Sequence, residues 1–347
     1  MDIGNVMEEL CALHGPSGFE ESAAEAAKRL LAPYVDKVDI DVMGNVIGVK
    51  RCGKENAPKL LLDAHIDEIG FIVTGYEEGF LRFSSLGGID ARMLPACCVR
   101  LMTEPPVFGV IDTMPPHVLK EGETDETIKI DDLYIDVGMT QEEAEKKIPL
   151  GTPGVYARSP RRFGENLICS KTLDDRSCFA CLVRAAELLK DEELNADVYY
   201  MGSTQEEVGS RGAKTGAFAA DPDYAVIVDV GFASTPDCST WETKKLGSGC
   251  VIGRGPNMNR QFTDRIIRAA EEKGIPYQIG VEPGGHSGTN AEVIQVVREG
   301  VATALFSLPL RYMHTPVEVV SLTDAENTAK LLAAAAAVIP EGGRYDA

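Results

Sequence analysis

Three strongly apolar segments in this 347-residue chain, KLLLDA, DVYYMGST and AVIVD, each run into a histidine or a carboxylate. These are His65, the pair Glu206 and Glu207, and Asp229. Runs of this length and composition read as buried strands, and a charge at the end of one is costly unless something pairs with it. Between and after them, helical periodicity is expected over 174–190, 208–218, 258–273 and 323–338, with a further strand at ATALFSL. Strand and helix in alternation imply a mostly parallel sheet covered by helices on both faces. Ligands of open α/β sheets gather beyond the carboxyl ends of the strands, so the three polar termini should converge on one edge.

The N-terminal part fits that frame. Residues 3–34 read as two helices broken by the loop Gly15-Pro16-Ser17-Gly18, with Ser17 as a candidate cap for the second. A hairpin follows, VDKVDIDV paired with NVIGVK around Met43-Gly44-Asn45. From about 68 to 165 the character changes. Short alternating strands (FIVTGY, FLRFSS, CCVRLM, FGVIDT, LYIDVG) are separated by Gly and Pro clusters, with an acidic loop at EGETDET expected to be mobile. That pattern predicts a small β-rich module inserted into the larger domain. The expected division is therefore residues 1–67 and 166–347 as one domain and 68–165 as the insert.

Composition removes whole classes of partner. With 54 acidic residues against 34 basic ones, a net charge of −20 argues against a nucleic acid or an anionic membrane. No apolar run reaches about 18 residues, the lower range for a membrane span. The opening MDIGNVMEELCALHG is acidic and amphipathic, unlike a signal or transit peptide. Nine scattered cysteines without disulfide spacing suggest a reducing compartment, hence the cytoplasm. Cys178 and Cys181 form one C-x-x-C with no second pair, and so read as small residues on a buried helix face rather than as a zinc or redox site.

His65, Asp174, the Glu206–Glu207 pair, Asp229 and His314 form a set with a chemical meaning. Zinc, cobalt and manganese accept imidazole and carboxylate, and a pair of such ions about 3.5–4 Å apart needs two terminal ligands each and a bridging carboxylate. Two histidines, two terminal carboxylates and one bridge meet that need, leaving one carboxylate to handle protons. Adjacent side chains at a strand end diverge, so one of Glu206 and Glu207 can bind metal while the other reaches a water. Asp67 lies two residues after His65 on the same face of an extended segment, where it can orient the imidazole. Taken singly, each group has an ordinary explanation: a core histidine, a solvated helix start, an N-cap or a surface carboxylate. Their joint occurrence at the expected elements outweighs these. His14 and His117 lie in loops without acidic partners and read as turn or interface residues, whereas His286, in EPGGHSGTN, could contact substrate. GSRGAKTG is not a phosphate loop, because Ala213 stands where glycine is required.

With GPSGFE, DAHIDEIG, GGID, GVIDTMPPH, DLYIDVG, SKTLDDRS, TQEEVGSRGA, VIVDVG and MHTPVEVV in order along nearly its whole length, the chain resembles the di-metal aminopeptidases. That family comprises glutamyl, deblocking and tetrahedral (TET) aminopeptidases, some once labelled endoglucanases. The resemblance implies a phosphorylase/hydrolase-like α/β domain with an inserted small β-barrel, and self-association as a dimer and further as a dodecamer. It further implies two divalent ions per subunit, zinc or cobalt. His65 and Asp229 would hold one, Glu207 and His314 the other, and Asp174 would bridge them. Glu206 would be the general base acting on a metal-activated water, with Asp67 behind His65. Short peptides, cut at the N-terminus, would be the substrates. Two positions depart from the pattern: Cys178 stands where a small residue, commonly Gly, is usual, and Asn290 where Asp is usual.

A deacylase or carboxypeptidase on the same metal pair is the alternative, separated by whether a free substrate amine is needed. A glycoside hydrolase would need two carboxylates about 5–9.5 Å apart across the sugar bond, which adjacent Glu206 and Glu207 do not supply. A non-catalytic assembly protein would be favoured by a lost ligand or base, and none is lost.

Overall fold

In a computed structural model that describes residues 1–114, 117, 128–236, 238–239 and 243–343, the apolar runs that end in polar residues lie side by side in one sheet. The acidic EGETDET stretch falls outside the described residues. Helices α1 (Ile3–Ala12) and α2 (Glu21–Leu31) lead to the hairpin β1 (Lys37–Ile40) and β2 (Val46–Lys50), then β3 (Lys59–His65). Next come β4 (Gly70–Glu77), β5 (Phe80–Leu86), β6 (Cys97–Leu101), β7 (Val107–Asp112), β8 (Tyr134–Asp136), α3 (Gln141–Lys147) and β9 (Pro153–Tyr156). The chain continues through β10 (Arg161–Phe163), β11 (Leu167–Ser170), α4 (Leu173–Leu189), β12 (Asp197–Ser203), α5 (Arg211–Ala220) and β13 (Tyr224–Phe232). It ends with β14 (Cys250–Arg254), α6 (Arg260–Lys273), β15 (Tyr277–Val281), α7 (Ala291–Ile294), β16 (Ala302–Arg311), β17 (Glu318–Ser321) and α8 (Leu322–Ala337).

The large sheet runs β1-β2-β12-β3-β13-β16-β17-β11-β10, with β14 pairing β16 and β15. Its central strands β12, β3, β13 and β16 are parallel, as the alternating pattern requires. Hairpins and returning strands make its flanks antiparallel. Side chains of a strand alternate between faces. Leu60 and Leu62 of β3 therefore join the core formed with α1, α2, α4, α6 and α8, while Leu61 joins the core under α5 and α7. Each such leucine, fully withdrawn from water, contributes about 1.5–3 kcal/mol. Cys178 and Cys181 are free and buried in the first of these cores, in keeping with their apolar reading.

Local chemistry sets the helix ends that matter here. The Asn259 side chain accepts the Phe262 N–H at 2.9 Å to start α6, and Gly274, at φ 62°, ends it. Ser17 does not cap α2, contrary to the sequence-based expectation. Glu20 occupies that position, and Ser17 Oγ donates to Asp67 Oδ2 at 2.6 Å. Ser17 stands before the helix's first turn, and its hydroxyl donates to a buried carboxylate in a charge-assisted bond.

The insert is a closed barrel in the order β4-β5-β8-β7-β6-β9. Phe71 packs edge-on against Phe83 and Tyr156 at its centre, with ring centroids 5.4 and 5.3 Å away. A register shift between Val73 and Gly75 bends β4 as the sheet closes. Arg161–Phe163 already pairs in the large sheet. Among the described residues, no helix is long and apolar enough to cross a membrane.

Candidate active site

His65 is the last residue of β3, beside Ser203 of β12 in register, and Asp229 lies near the end of β13. Glu206 and Glu207 occupy the loop that leaves β12. Asp174 sits in the opening turn of α4 with a non-helical backbone (φ −79°, ψ 104°), and His314 lies between β16 and β17 at φ 61°. The strands thus deliver their polar ends to one edge of the sheet, and two turns bring the remaining groups to it.

Asp174 is the centre of the cluster. Its Oδ1 lies 3.1 Å from His65 Nε2, and its Oδ2 lies 3.3 Å from His314 Nε2. His314 Nε2 is also 3.3 Å from Glu207 Oε1. Metal-ligating atoms of His65, Asp174 and Glu207 lie within 4.8 Å of one another, as do those of His65, Asp175 and Asp229. All five expected ligands therefore meet, in two groups that share His65 or flank Asp174.

Three surrounding carboxylates hold the backbone of this cluster. Asp67, completely buried, accepts the N–H of Glu206 at 2.9 Å and of Glu207 at 3.2 Å. Its Oδ1 stands 3.4 Å from His65 Nδ1, close enough for charge contact but without hydrogen-bond geometry. Asp67 therefore grips the glutamate loop more firmly than the imidazole. Asp175 accepts the His65 N–H at 3.2 Å. Glu318 accepts the Asp174 N–H at 3.1 Å and the His314 N–H at 2.9 Å, one oxygen to each. Neither Asp175 nor Glu318 was singled out from sequence. Glu318 left a signal in the run VEVV, where a charge interrupts an otherwise buried strand.

Glycines let the barrel approach. A Cβ on Gly87 would stand 3.1 Å from Glu207 Oε2, and one on Gly88 3.1 Å from His314 Nδ1. The GGID segment after β5 thus passes close over both side chains.

The electrostatics describe a site crowded with anions. Burial first, and Asp174 and Glu206 next, push Asp229 well above the carboxylate range against the pull of His65. Burial raises Glu206 to about 7, opposed by His65 and reinforced by Glu207. Burial likewise raises Glu207, with His314 opposing. Burial works against charge on both histidines, yet Asp174 and Asp67 hold His65 well above its usual value, and Asp174 and Glu207 raise His314 to about 11. Asp174 is held low by the two histidines despite its burial. Among the described residues no lysine or arginine forms an ion pair with these carboxylates; Lys171 and Arg176 are taken by Glu68. Clustered carboxylate oxygens and imidazole nitrogens without a basic side chain suit divalent cations.

The other histidines stay outside. Burial and the charge of Lys171 push His14 down to about 4, His117 is exposed, and His286 is exposed with Nδ1 3.7 Å from Glu292. The two departures also leave the cluster of candidate ligands intact. Cys178 is buried beside Asp175, which together with burial raises its thiol. Asn290 Nδ2 donates to Asp63 Oδ2 at 2.8 Å and to Ser203 Oγ at 2.9 Å.

Residues 44–331 match the M42 glutamyl aminopeptidases. The chain belongs to this family. The aminopeptidase is 38% identical over 336 residues to a lysyl aminopeptidase of Pyrococcus furiosus, covering 94% of each chain. Its fold matches an aminopeptidase from the archaeon Desulfurococcus kamchatkensis with a TM-score of 0.90 at 36% identity, covering 97% of this chain and 95% of that one. It also matches PhTET1-12s, a dodecamer, with a TM-score of 0.85 at 32% identity, covering 98% of this chain and 100% of that one. The chain is accordingly an aminopeptidase, a peptide-bond hydrolase that releases N-terminal residues, of a metallopeptidase family.

Proposed function

We propose that this aminopeptidase works with two divalent metal ions per subunit, zinc or cobalt, and with Glu206 as general base. His65 and Asp229 would hold one ion, Glu207 and His314 the other, and Asp174 would bridge them. One observation carries this reading: the two oxygens of Asp174 face different histidines, at 3.1 and 3.3 Å. Bound there, the ions would lower the pKa of a water and polarise the scissile carbonyl.

The chain's own residues supply the proton chemistry. Glu206 is half-buried, and in the metal-free site burial raises it to about 7; beside bound cations it would be drawn back down and stay ionised, ready to accept a proton. It accepts a proton from the water that attacks the peptide carbonyl and returns it to the departing amine as the C–N bond breaks. Asp67 fixes the backbone from which Glu206 projects. The acidic surroundings favour a protonated N-terminal amine on a short peptide.

Removing metal with a chelator should abolish activity, and zinc or cobalt should restore it at two equivalents per chain. One short peptide offered unmodified, N-acetylated and C-amidated tests which end is read. Acetylation should nearly abolish cleavage and amidation should change little. Faster hydrolysis of the acetylated form would favour a deacylase instead.

The inserted module, residues 68–165, is proposed to mediate dimerisation, and twelve chains to form the final assembly in the cytoplasm. Light scattering should give at least a dimer at micromolar concentration. A fully active monomer would contradict this.

A further inference from the structure

The four residues that lead into and include the proposed base, Thr204-Gln205-Glu206-Glu207, have an unusual backbone environment. Their consecutive N–H groups make no strand or helix bonds; each donates to a side chain from elsewhere. Thr204 N–H goes to Asn45 Oδ1 at 3.0 Å, and Gln205 N–H to Glu20 Oε1 at 3.1 Å. Glu206 and Glu207 N–H go to the two oxygens of Asp67 at 2.9 and 3.2 Å. Three separate segments thus hold one loop: the β1–β2 hairpin, the loop after α1 and the segment that follows β3.

Glu20 is the member whose sequence gives no local reason for the contact. It stands at the N-cap position of α2, yet its side chain makes no cap bond. The same Oε1 accepts the Gly18 N–H at 2.8 Å, tying the GPSGFE loop to itself while it holds Gln205. Ser17 of that loop donates to Asp67 Oδ2 at 2.6 Å. Gln205 has φ 55°, a left-handed conformation that a non-glycine residue adopts only when its surroundings hold it there. The next residue, Glu206, accepts the Ser210 hydroxyl at 3.3 Å and lies close enough to the cluster for its charge to act on His65 and Asp229.

Packing leaves the loop little room for another path. A Cβ on Gly212 would collide with Thr204 and Asn45, and Gly212 N–H returns to Thr204 O at 3.0 Å.

We infer that Glu20 is a positioning residue for the proposed base: through the Gln205 N–H, the N-terminal GPSGFE loop holds the backbone that aims Glu206. This rests on Glu206 being the general base. A small displacement of a reacting group costs much of its catalytic contribution, so the effect belongs in turnover rather than in substrate or metal binding.

Glu20→Ala removes the acceptor, and Glu20→Gln keeps an oxygen in the same place. Two measurements are needed on each: hydrogen exchange at amides 205–207 in metal-free protein, and steady-state kinetics with metal stoichiometry on the loaded enzyme. In Glu20→Ala, amides 205–207 should exchange faster. Its kcat should fall about 10-fold or more, with KM and both metal equivalents kept. Glu20→Gln should restore protection and most of kcat. Wild-type protection at 205–207 in Glu20→Ala, or failure of Glu20→Gln to restore it, would overturn the inference. Lost protection with unchanged kcat would also overturn the positioning role, while the base assignment itself stands or falls separately on Glu206→Gln.

Discussion

Glu206 hangs by its backbone from Asp67, whose Oδ1 accepts the Glu206 N–H at 2.9 Å. Asp67 Oδ2 takes both the Glu207 N–H and the Ser17 hydroxyl. Replacing one oxygen by an amide donor, Asp67→Asn, leaves a buried N–H facing another N–H, which costs about 1–3 kcal/mol. The expected result is a lower Tm together with a fall in kcat larger than any loss of metal affinity. Calorimetric metal titration beside steady-state kinetics checks this. A mutant that loses only the metal near His65 would return Asp67 to the simpler task of orienting the imidazole.

Asp174 and His65 should differ in what their loss does to metal content. Asp174→Ala takes a ligand from both proposed ions, so both equivalents and activity should fall together. His65→Ala should mainly empty one position. Elemental analysis of the purified variants decides, and two full equivalents in Asp174→Ala would exclude a bridge.

The proposed ligands visible in the sequence were those carried at strand ends, His65 and Asp229, and the acidic doublet after DVYYMGST. Apolar periodicity marks where such strands stop, and the parallel centre of the sheet follows from it. Asp174 and His314 sit in turns, where periodicity is silent, and only their joint occurrence with the others and the family resemblance singled them out. The carboxylates that hold the site escaped for a different reason. Glu318 bonds Asp174, 144 residues away, and Asp67 bonds Glu206, 139 residues away, whereas spacing in a sequence exposes only near neighbours. Ser17 misled because a serine before a helix looks the same whether it caps that helix or bonds a distant carboxylate. Of the antiparallel flanks the β1–β2 hairpin was legible, whereas the pairing of β12 with β2 and of β11 with β17 was hidden, since pairing across long connections leaves no local pattern.

Glu318 ties the Asp174 and His314 backbones through separate oxygens, and its burial keeps that clamp rigid. Supporting groups behind metal ligands are typically worth about 10–100-fold in affinity. Glu318→Ala should weaken metal binding by that order, chiefly at the position served by His314. Competition with a chromogenic chelator measures it. Unchanged affinity would mean the two backbones keep their places without it.

Glu20 should make stability depend on pH. Burial first, then the nearby charge of Asp67, raises its carboxyl from 4.5 to about 7. A raised acid binds its proton more tightly folded than unfolded, so its contribution is complete below about pH 4.5 and is lost as pH rises through about 7. That difference is on the order of 3 kcal/mol. In metal-free protein, Glu20→Gln should remove this slope and be relatively more stable than wild type at pH 8 than at pH 5. Parallel stability curves for the two proteins across that window would refute the shift.

Glu206→Gln is the most direct measurement of the proposed chemistry, because it removes the proton carrier while leaving His65, Asp174, Glu207, Asp229 and His314 untouched. Metal content and peptidase turnover should be determined on the same preparation. Two retained metal equivalents with turnover reduced about 10²–10⁴-fold, the usual contribution of a general base, is the expected result. Near wild-type turnover with both metals bound would contradict Glu206 as the base.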